Sequence, residues 1–266
     1  MLHSHDTPVR WTDEEESVIA NNYGESTYGQ IAAMIPGRTW MAVRHRANLM
    51  GLTGTSNLGR KYSADKGFFS IPNVLNSYWA GFLAADGNVR GHRLSLGLAP
   101  KDGAHVERLR DALRYTGKVS WGSKVVGMQV TCLDMVEDLR KNFSITERKS
   151  LTLKPPPITG DDLIRAFIVG VIDGDGSITM EVKKGKYRHP RITIYGTQAL
   201  LLWIQRHFDR WVPARNRKAS EVHKRPSAEL YSYRVTAGRA KAIGRLLMSV
   251  DVPSLTRKWD VLIGTL

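Results

Sequence analysis

One short stretch of this sequence occurs twice, and that duplication constrains the fold more than any other feature. The copies are WAGFLAADG, Trp79 to Gly87, and IVGVIDGDG, Ile168 to Gly176. At one constant offset Gly81 falls on Gly170, Ala85 on Gly174, Asp86 on Asp175 and Gly87 on Gly176, the mark of an internal repeat. Apolar residues at helical spacing run through each copy: Leu75, Tyr78, Trp79 and Phe82 in the first, Leu163, Phe167, Val171 and Ile172 in the second. Gly81 with Ala85, and Gly170 with Gly174, leave one side of each helix without bulky side chains. Two helix backbones can approach closely along such a stripe. Packing them there carries Asp86 and Asp175 to the same place.

Two adjacent carboxylates repel, so one holds a proton unless a cation lies between them. Mg²⁺ takes oxygen ligands and keeps several waters, which leaves room for a phosphate and an attacking water. The pattern suits phosphodiester hydrolysis. A plain Asp-Gly turn is the alternative for either copy alone, but two copies in register argue against it. A calcium loop fails too, because Ile178 stands where such a loop needs Gly and Lys184 where it needs Glu.

With these residues in view, the chain resembles the LAGLIDADG homing endonucleases of the single-chain type with two pseudo-repeats. The acidic eighth position of the motif matches Asp86 and Asp175; the sixth, often acidic, is Ala84 in the first copy and Asp173 in the second. The resemblance implies an α+β fold in which two pseudo-symmetric αββαββα repeats form a saddle of antiparallel sheets. It implies Asp86 and Asp175 as catalytic metal ligands, with Ala85 and Gly174 part of the same metal site. Mg²⁺ is the expected cofactor, Mn²⁺ an expected substitute, and Ca²⁺ an ion that supports binding without cleavage. The family cuts both strands of a long double-stranded DNA site across the minor groove and leaves short 3′ overhangs. A basic residue near the end of each half reaches the active site in that family. Lys149, in TERKSLTL, and Lys258, in PSLTRKWD, match it. Asp102 falls where the family often has a water-ordering polar residue.

The charge fits that partner. The chain carries a net +14 with a pI near 10.0, which points to a polyanion. Residues 1–57 are net −2 and the rest net +16. No apolar run is long enough to span a bilayer, no lipidation motif is present, and MLHSHDTPVR lacks the apolar core of a signal peptide. The single cysteine, Cys132, excludes internal disulfides and cysteine-cluster zinc sites. The expected setting is the cytoplasm of a bacterial or phage-infected cell.

Residues 1–52 read as a three-helix unit. Thr12 and Glu15 form a capping box, YGQIAAMI makes a second helix with Ile31, Ala32 and Ile35 inward, and a third runs from about Thr39 to Met50. Trp40, Val43 and Ala47 are expected inward and Met41, Arg44, His45 and Asn48 outward, in helix-turn-helix fashion. RWTDEE, QIA and GRTWMAVRHRANLMGL resemble Myb-like and GcrA-like DNA-binding domains, although two Trp remain of the usual three. A protein-interaction module is the alternative.

Residues 53–66 are polar and turn-rich, a linker. The first repeat is placed at 67–154 and the second at 155–266. In the first, Leu94, Leu96 and Leu98 alternate with polar or small residues, the period of a strand. The second shows the same order, with a basic hairpin at 217–225 against 229–236. One face of each sheet should be apolar and the other polar and basic, fitted to the major groove. Expected DNA contacts are Arg38, Thr39, Arg44, His45 and Asn48 in the small unit, and Arg90 and Arg93 in the first repeat. The second repeat supplies Lys183, Lys186, Arg188, Arg191, Lys224, Arg225 and Arg234. The chain is expected to act as a monomer, without a membrane partner. A DNA-binding regulator without catalysis and a maturase bound to intron RNA are the alternatives. An intein is not expected, since the start lacks a splicing Cys or Ser and the end lacks His-Asn.

Overall fold

Thr12, Thr27 and Thr39 each accept a hydrogen bond from the backbone N–H three residues on, and these caps start three helices. They are α1 (Asp13–Asn22), α2 (Tyr28–Ala33) and α3 (Trp40–Leu49). Thr12–Glu15 and Thr27–Gln30 are full capping boxes. Ile19, Ile31, Ile35, Val43 and Ala47 form the buried core of this unit. Trp40, expected inward, is instead 50% exposed. It sits on the first turn of α3, beyond the small core that Val43 and Ala47 already close.

The computed structural model describes residues 10–52, 62–183, 187–214, 221–225 and 230–263, and the chain divides into two compact units at residue 63. The second unit opens with α4 (Val74–Ala85), capped by Asn73 and Asn76 reciprocally. It continues through β1 (Gly87–Arg90), β2 (Arg93–Leu98), α5 (Gly103–Ala112), β3 (Ser120–Trp121), β4 (Val126–Thr131), α6 (Leu133–Phe143) and the short α7 (Lys149–Thr152). The second half gives α8 (Asp161–Asp175), β5 (Ser177–Lys183), β6 (Tyr187–Gly196), α9 (Gln198–Trp211), β7 (Val222–Lys224), β8 (Tyr231–Thr236), α10 (Ala237–Leu247) and α11 (Thr256–Ile263). The expected order of helix, two strands, helix, two strands, helix is present in both halves. Each half adds a further short helix, α7 or α11, which alternation and periodicity did not reveal.

Each half builds one four-stranded antiparallel sheet, ordered β1-β2-β4-β3 and β5-β6-β8-β7, and the two make a saddle-like pair. Val89, Leu94, Leu96, Met128 and Val130 bury one face of the first sheet; Ile192, Ile194, Tyr233 and Val235 do so in the second. Helices α4 and α8 lie at the centre. Every residue from Asn76 to Ala84 is buried, the position of a helix packed at the centre of the core. No helix of the described residues is long and apolar enough to cross a membrane.

Candidate active site and nucleic-acid face

The two motif helices touch backbone to backbone. A Cβ on Gly81 would enter the Phe167 carbonyl, one on Gly170 the Tyr78 carbonyl, and one on Gly174 the Ala85 methyl. The stripe of small residues is therefore the seam itself. At its end Asp86 caps α4 and Asp175 is the last residue of α8. The glycines that follow have a separate role. A Cβ on Gly87 would collide with Leu83 and one on Gly176 with the Ile172 backbone, so only glycine lets the chain leave each helix straight into a strand.

Both aspartates reach the surface at this end. Burial by their surroundings raises the Asp86 carboxyl above the usual carboxylate range, and the neighbouring Asp175 charge raises it further. Burial likewise raises Asp175. Lys258 is the stronger opposing charge at Asp86, and Lys149 the stronger one at Asp175.

The lysines are fixed by the helix ends. The last carbonyls of a helix have no partner within it, and here ammonium groups supply one. Lys149 Nζ, on a residue only 8% exposed, donates to Ala84 O at 2.8 Å and to Ala85 O. Lys258 Nζ donates to the carbonyls of Ile172, Asp173, Gly174 and Gly176 at 3.0, 2.5, 3.0 and 2.8 Å. Burial lowers both lysine pKa values while the surrounding carboxylates hold them up. Ala85 and Gly174, assigned to the metal site from the sequence, thus offer carbonyls that already accept from an ammonium. A divalent cation placed there would meet that positive charge. Among the described residues the carboxylates of Asp86 and Asp175 accept no such bond, and they fit a hard cation whose remaining ligands are water and phosphate. No cluster of three or more metal-binding side chains occurs among the described residues.

Asp102 does not stand free to order water. Arg257 donates to both of its oxygens, Nε to Oδ1 at 2.7 Å and Nη2 to Oδ2 at 2.6 Å, and this fork holds its carboxyl below the usual range. Asp173 has turned inward. It is 1% exposed and accepts from the Tyr78 hydroxyl at 2.8 Å, the Leu255 N–H at 2.8 Å and Trp259 Nε1 at 2.7 Å. Its role is in the seam, away from the surface where Asp175 lies.

Strand register sorts the expected DNA contacts. In the first sheet Arg90 pairs with Arg93, and Asn88 with Ser95, opposite in parity to buried Val89 and Leu94. A trough of about 670 Å³ runs along this face from Asp86 past Asn88, Ser95, Lys118, Ser120 and Gln129. Asn88, Ser95 and Gln129 are neutral polar groups that a search for charge passed over; their parity opposite the apolar residues was the available signal. In the second sheet Arg191, Thr193 and Arg234 share the polar face, and Arg225 stacks over Tyr195 at 5.3 Å. Glu181 lies 3.7 Å from Arg191 and tempers its charge. Arg188 pairs with Val182, and Lys224 with Tyr231 beside the Val222–Tyr233 pair. Both therefore have the parity of the helix-covered face, as their alternation with Ile192 and Val222 along the same strands requires. The Lys183 side chain and all of Lys186 lie outside the described residues.

In the small unit Arg44, His45 and Asn48 project from α3 into solvent. Thr39 spends its hydroxyl on the α3 cap. Arg38 stacks over Trp11 at 4.1 Å, donates to both oxygens of Glu15 at 2.8 Å and is 12% exposed at its side chain. That leaves the unit with an internal clamp where a DNA contact was expected.

No protein-family model matches this sequence, and no curated protein does. Solved structures match in fold. One is a double lysine-to-alanine mutant of I-SmaMI, with a TM-score of 0.51 and 13% identity over 72% of this chain and 92% of the other. The LAGLIDADG meganuclease I-AabMI bound to uncleaved DNA matches at 0.50 and 10% identity, covering 71% and 87%. The I-SmaMI LAGLIDADG homing endonuclease bound to cleaved DNA matches at 0.50 and 13%, covering 71% and 86%.

Proposed function

We propose that this chain is a LAGLIDADG-type homing endonuclease that hydrolyses both strands of a long double-stranded DNA site. One observation carries the reading: the seam delivers Asp86 and Asp175 together at the surface, with a lysine capping each helix beside them, Lys149 buried and Lys258 half-buried. Their raised pKa values describe a site that favours a cation or a proton. Mg²⁺ bound by the two carboxylates would supply charge neutralisation and acidify water.

The chain's own groups do the rest. Asp86 and Asp175 would hold the Mg²⁺ that offsets the charge of the two scissile phosphates at the end of the seam. Water adds to phosphorus and gives up a proton to solvent, a phosphorus–sugar oxygen bond breaks, and the departing oxygen takes a proton from solvent. Lys149 and Lys258 place positive charge where the phosphorane gathers negative charge. The polar sheet faces read base edges, through Asn88, Ser95 and Gln129 in one half and Arg191 and Arg234 in the other. Both acids come from one chain, so a monomer suffices. The N-terminal unit adds a further grip through Arg44, His45 and Asn48.

The test is cleavage of supercoiled plasmids carrying the DNA that flanks the gene, joined as it would read without the insertion. Linear product with Mg²⁺, none with Ca²⁺, and none with Asp175→Asn is the expected result. Tight, salt-sensitive binding without cutting would replace this reading with that of a regulator.

A further inference from the structure

The final segment of each half docks on the other half. Leu153, just after α7, accepts from the Thr197 hydroxyl at 2.6 Å, and Thr197 is the N-cap of α9 at the β6-to-α9 corner. Arg257, on α11, forks onto Asp102 at the β2-to-α5 corner. The two ties occupy corresponding places and differ in chemistry. One is a neutral hydroxyl-to-carbonyl bond. The other is a bidentate ion pair whose carboxylate is 11% exposed, and such a fork fixes direction as well as distance. Arg148, at the place of Arg257 in the first half, is exposed in a left-handed conformation with φ 56° and donates no side-chain bond among the described residues.

Each docked segment also carries a lysine that caps its own motif helix. Lys258 adjoins Arg257 in the chain, and Lys149 lies one helical turn before Leu153, whose N–H bonds back to the Lys149 carbonyl at 2.9 Å. A tie on the neighbouring residue therefore limits where each ammonium can sit. The geometry points to Asp102 and Arg257 as a positioning pair for cleavage of one strand, registering Lys258 at the end of α8, while the Thr197–Leu153 bond registers Lys149 at the end of α4 for the other. This rests on the nuclease reading above and adds to it that the two strand cuts are separately supported.

The test uses the full-length protein and a duplex that the wild-type protein selects from a random library in Ca²⁺, cloned into a supercoiled plasmid. A linear copy carries a different label on each strand. Asp102→Asn keeps the shape and removes the charge, and it should slow one strand by about 10–100-fold, the cost of losing an orienting contact behind a catalytic group. Nicked circles should accumulate, with Ca²⁺-supported binding unchanged. Thr197→Val should slow the opposite strand. Arg257→Lys keeps charge without the fork and should fall between wild type and Asp102→Asn on the same strand. It carries the comparison should Asp102→Asn lose its thermal unfolding transition. Equal slowing of both strands, slowing of the same strand by Asp102→Asn and Thr197→Val, or no slowing would overturn the inference. Wild-type protein that cuts neither strand would overturn the nuclease reading itself.

Discussion

Tyr78 and Asp173 meet across the seam: the hydroxyl on α4 donates to Oδ2 on α8 at 2.8 Å, and both side chains are buried. One repeat along, the corresponding residues are Phe167 and Ala84, both buried and apolar. The two sides of the seam are therefore chemically different, a polar clamp on one and hydrocarbon on the other. Asp173→Ala strands Trp259 Nε1 and the Leu255 N–H, at about 1–3 kcal/mol for each buried donor left unmade, and should cost more than loss of the Tyr78 hydroxyl alone. Tyr78→Phe removes one donor to a charged acceptor and should cost roughly 1.5–3 kcal/mol. Urea unfolding measures both, and equal losses would contradict the network.

The seam itself is testable at its glycines. Gly170→Ala drives a methyl carbon into the Tyr78 carbonyl and the Phe82 N–H. Backbone cannot yield as a side-chain tip can, so a loss of about 1–3 kcal/mol or more is expected. Cleavage should fall further than stability explains, because the wedge separates Asp86 from Asp175. Gly238→Ala, in α10 with nothing near the added carbon and no left-handed φ, is the control. Its unfolding midpoint should barely move.

His105 makes the seam acid-sensitive. It is 2% exposed, packs against Tyr78, Trp79 and Phe82, and lies 2.9 Å from the Tyr78 hydroxyl. That hydroxyl gives its one hydrogen to Asp173, so His105 Nε2 carries the proton and Nδ1 is left without a partner. Burial pushes the imidazole pKa down from 6.5 to about 4. Between those values the unfolded chain binds a proton that the folded chain refuses. Stability is therefore full above pH 6.5 and declines toward pH 4, by up to about 3 kcal/mol. His105→Gln, which keeps a donor for Tyr78, should flatten that slope in urea titrations at stepped pH.

The paired acids set the response to metal. Asp86 and Asp175 both have raised pKa values, so without a cation their charges oppose folding above those values and the penalty fades as pH falls through them. Asp175→Asn should raise the metal-free Tm at neutral pH while abolishing cleavage. Mg²⁺ should raise the wild-type Tm and affect the variant far less. Equal Mg²⁺ shifts in the two proteins would place the ion elsewhere.

The N-terminal unit packs its own core. Removing residues 1–57 should leave cleavage intact but shorten the DNA footprint. Arg44→Ala, on the exposed side of α3, should weaken binding with a shallower salt dependence.

Local repetition and period determined much of this protein. The duplicated motif, its stripe of small residues and the alternation of Leu94, Leu96 and Leu98 predicted two helix-led halves with one buried sheet face each. They also predicted that Asp86 and Asp175 converge. These features are legible because burial imposes a period of 3.6 or 2 on neighbouring residues. Tertiary structure decided what period does not encode. It did not decide Arg188 and Lys224, whose alternation with Ile192 and Val222 along their own strands already places them on the helix side. Trp40 faces outward because the core of the small unit ends before it. Arg38 and Asp102 were spent on Glu15 and Arg257, and the Ala85 and Gly174 carbonyls on the two lysines. In each case a polar group found its partner many residues away, and the partner of a buried or half-buried charge is fixed by the packing of whole elements.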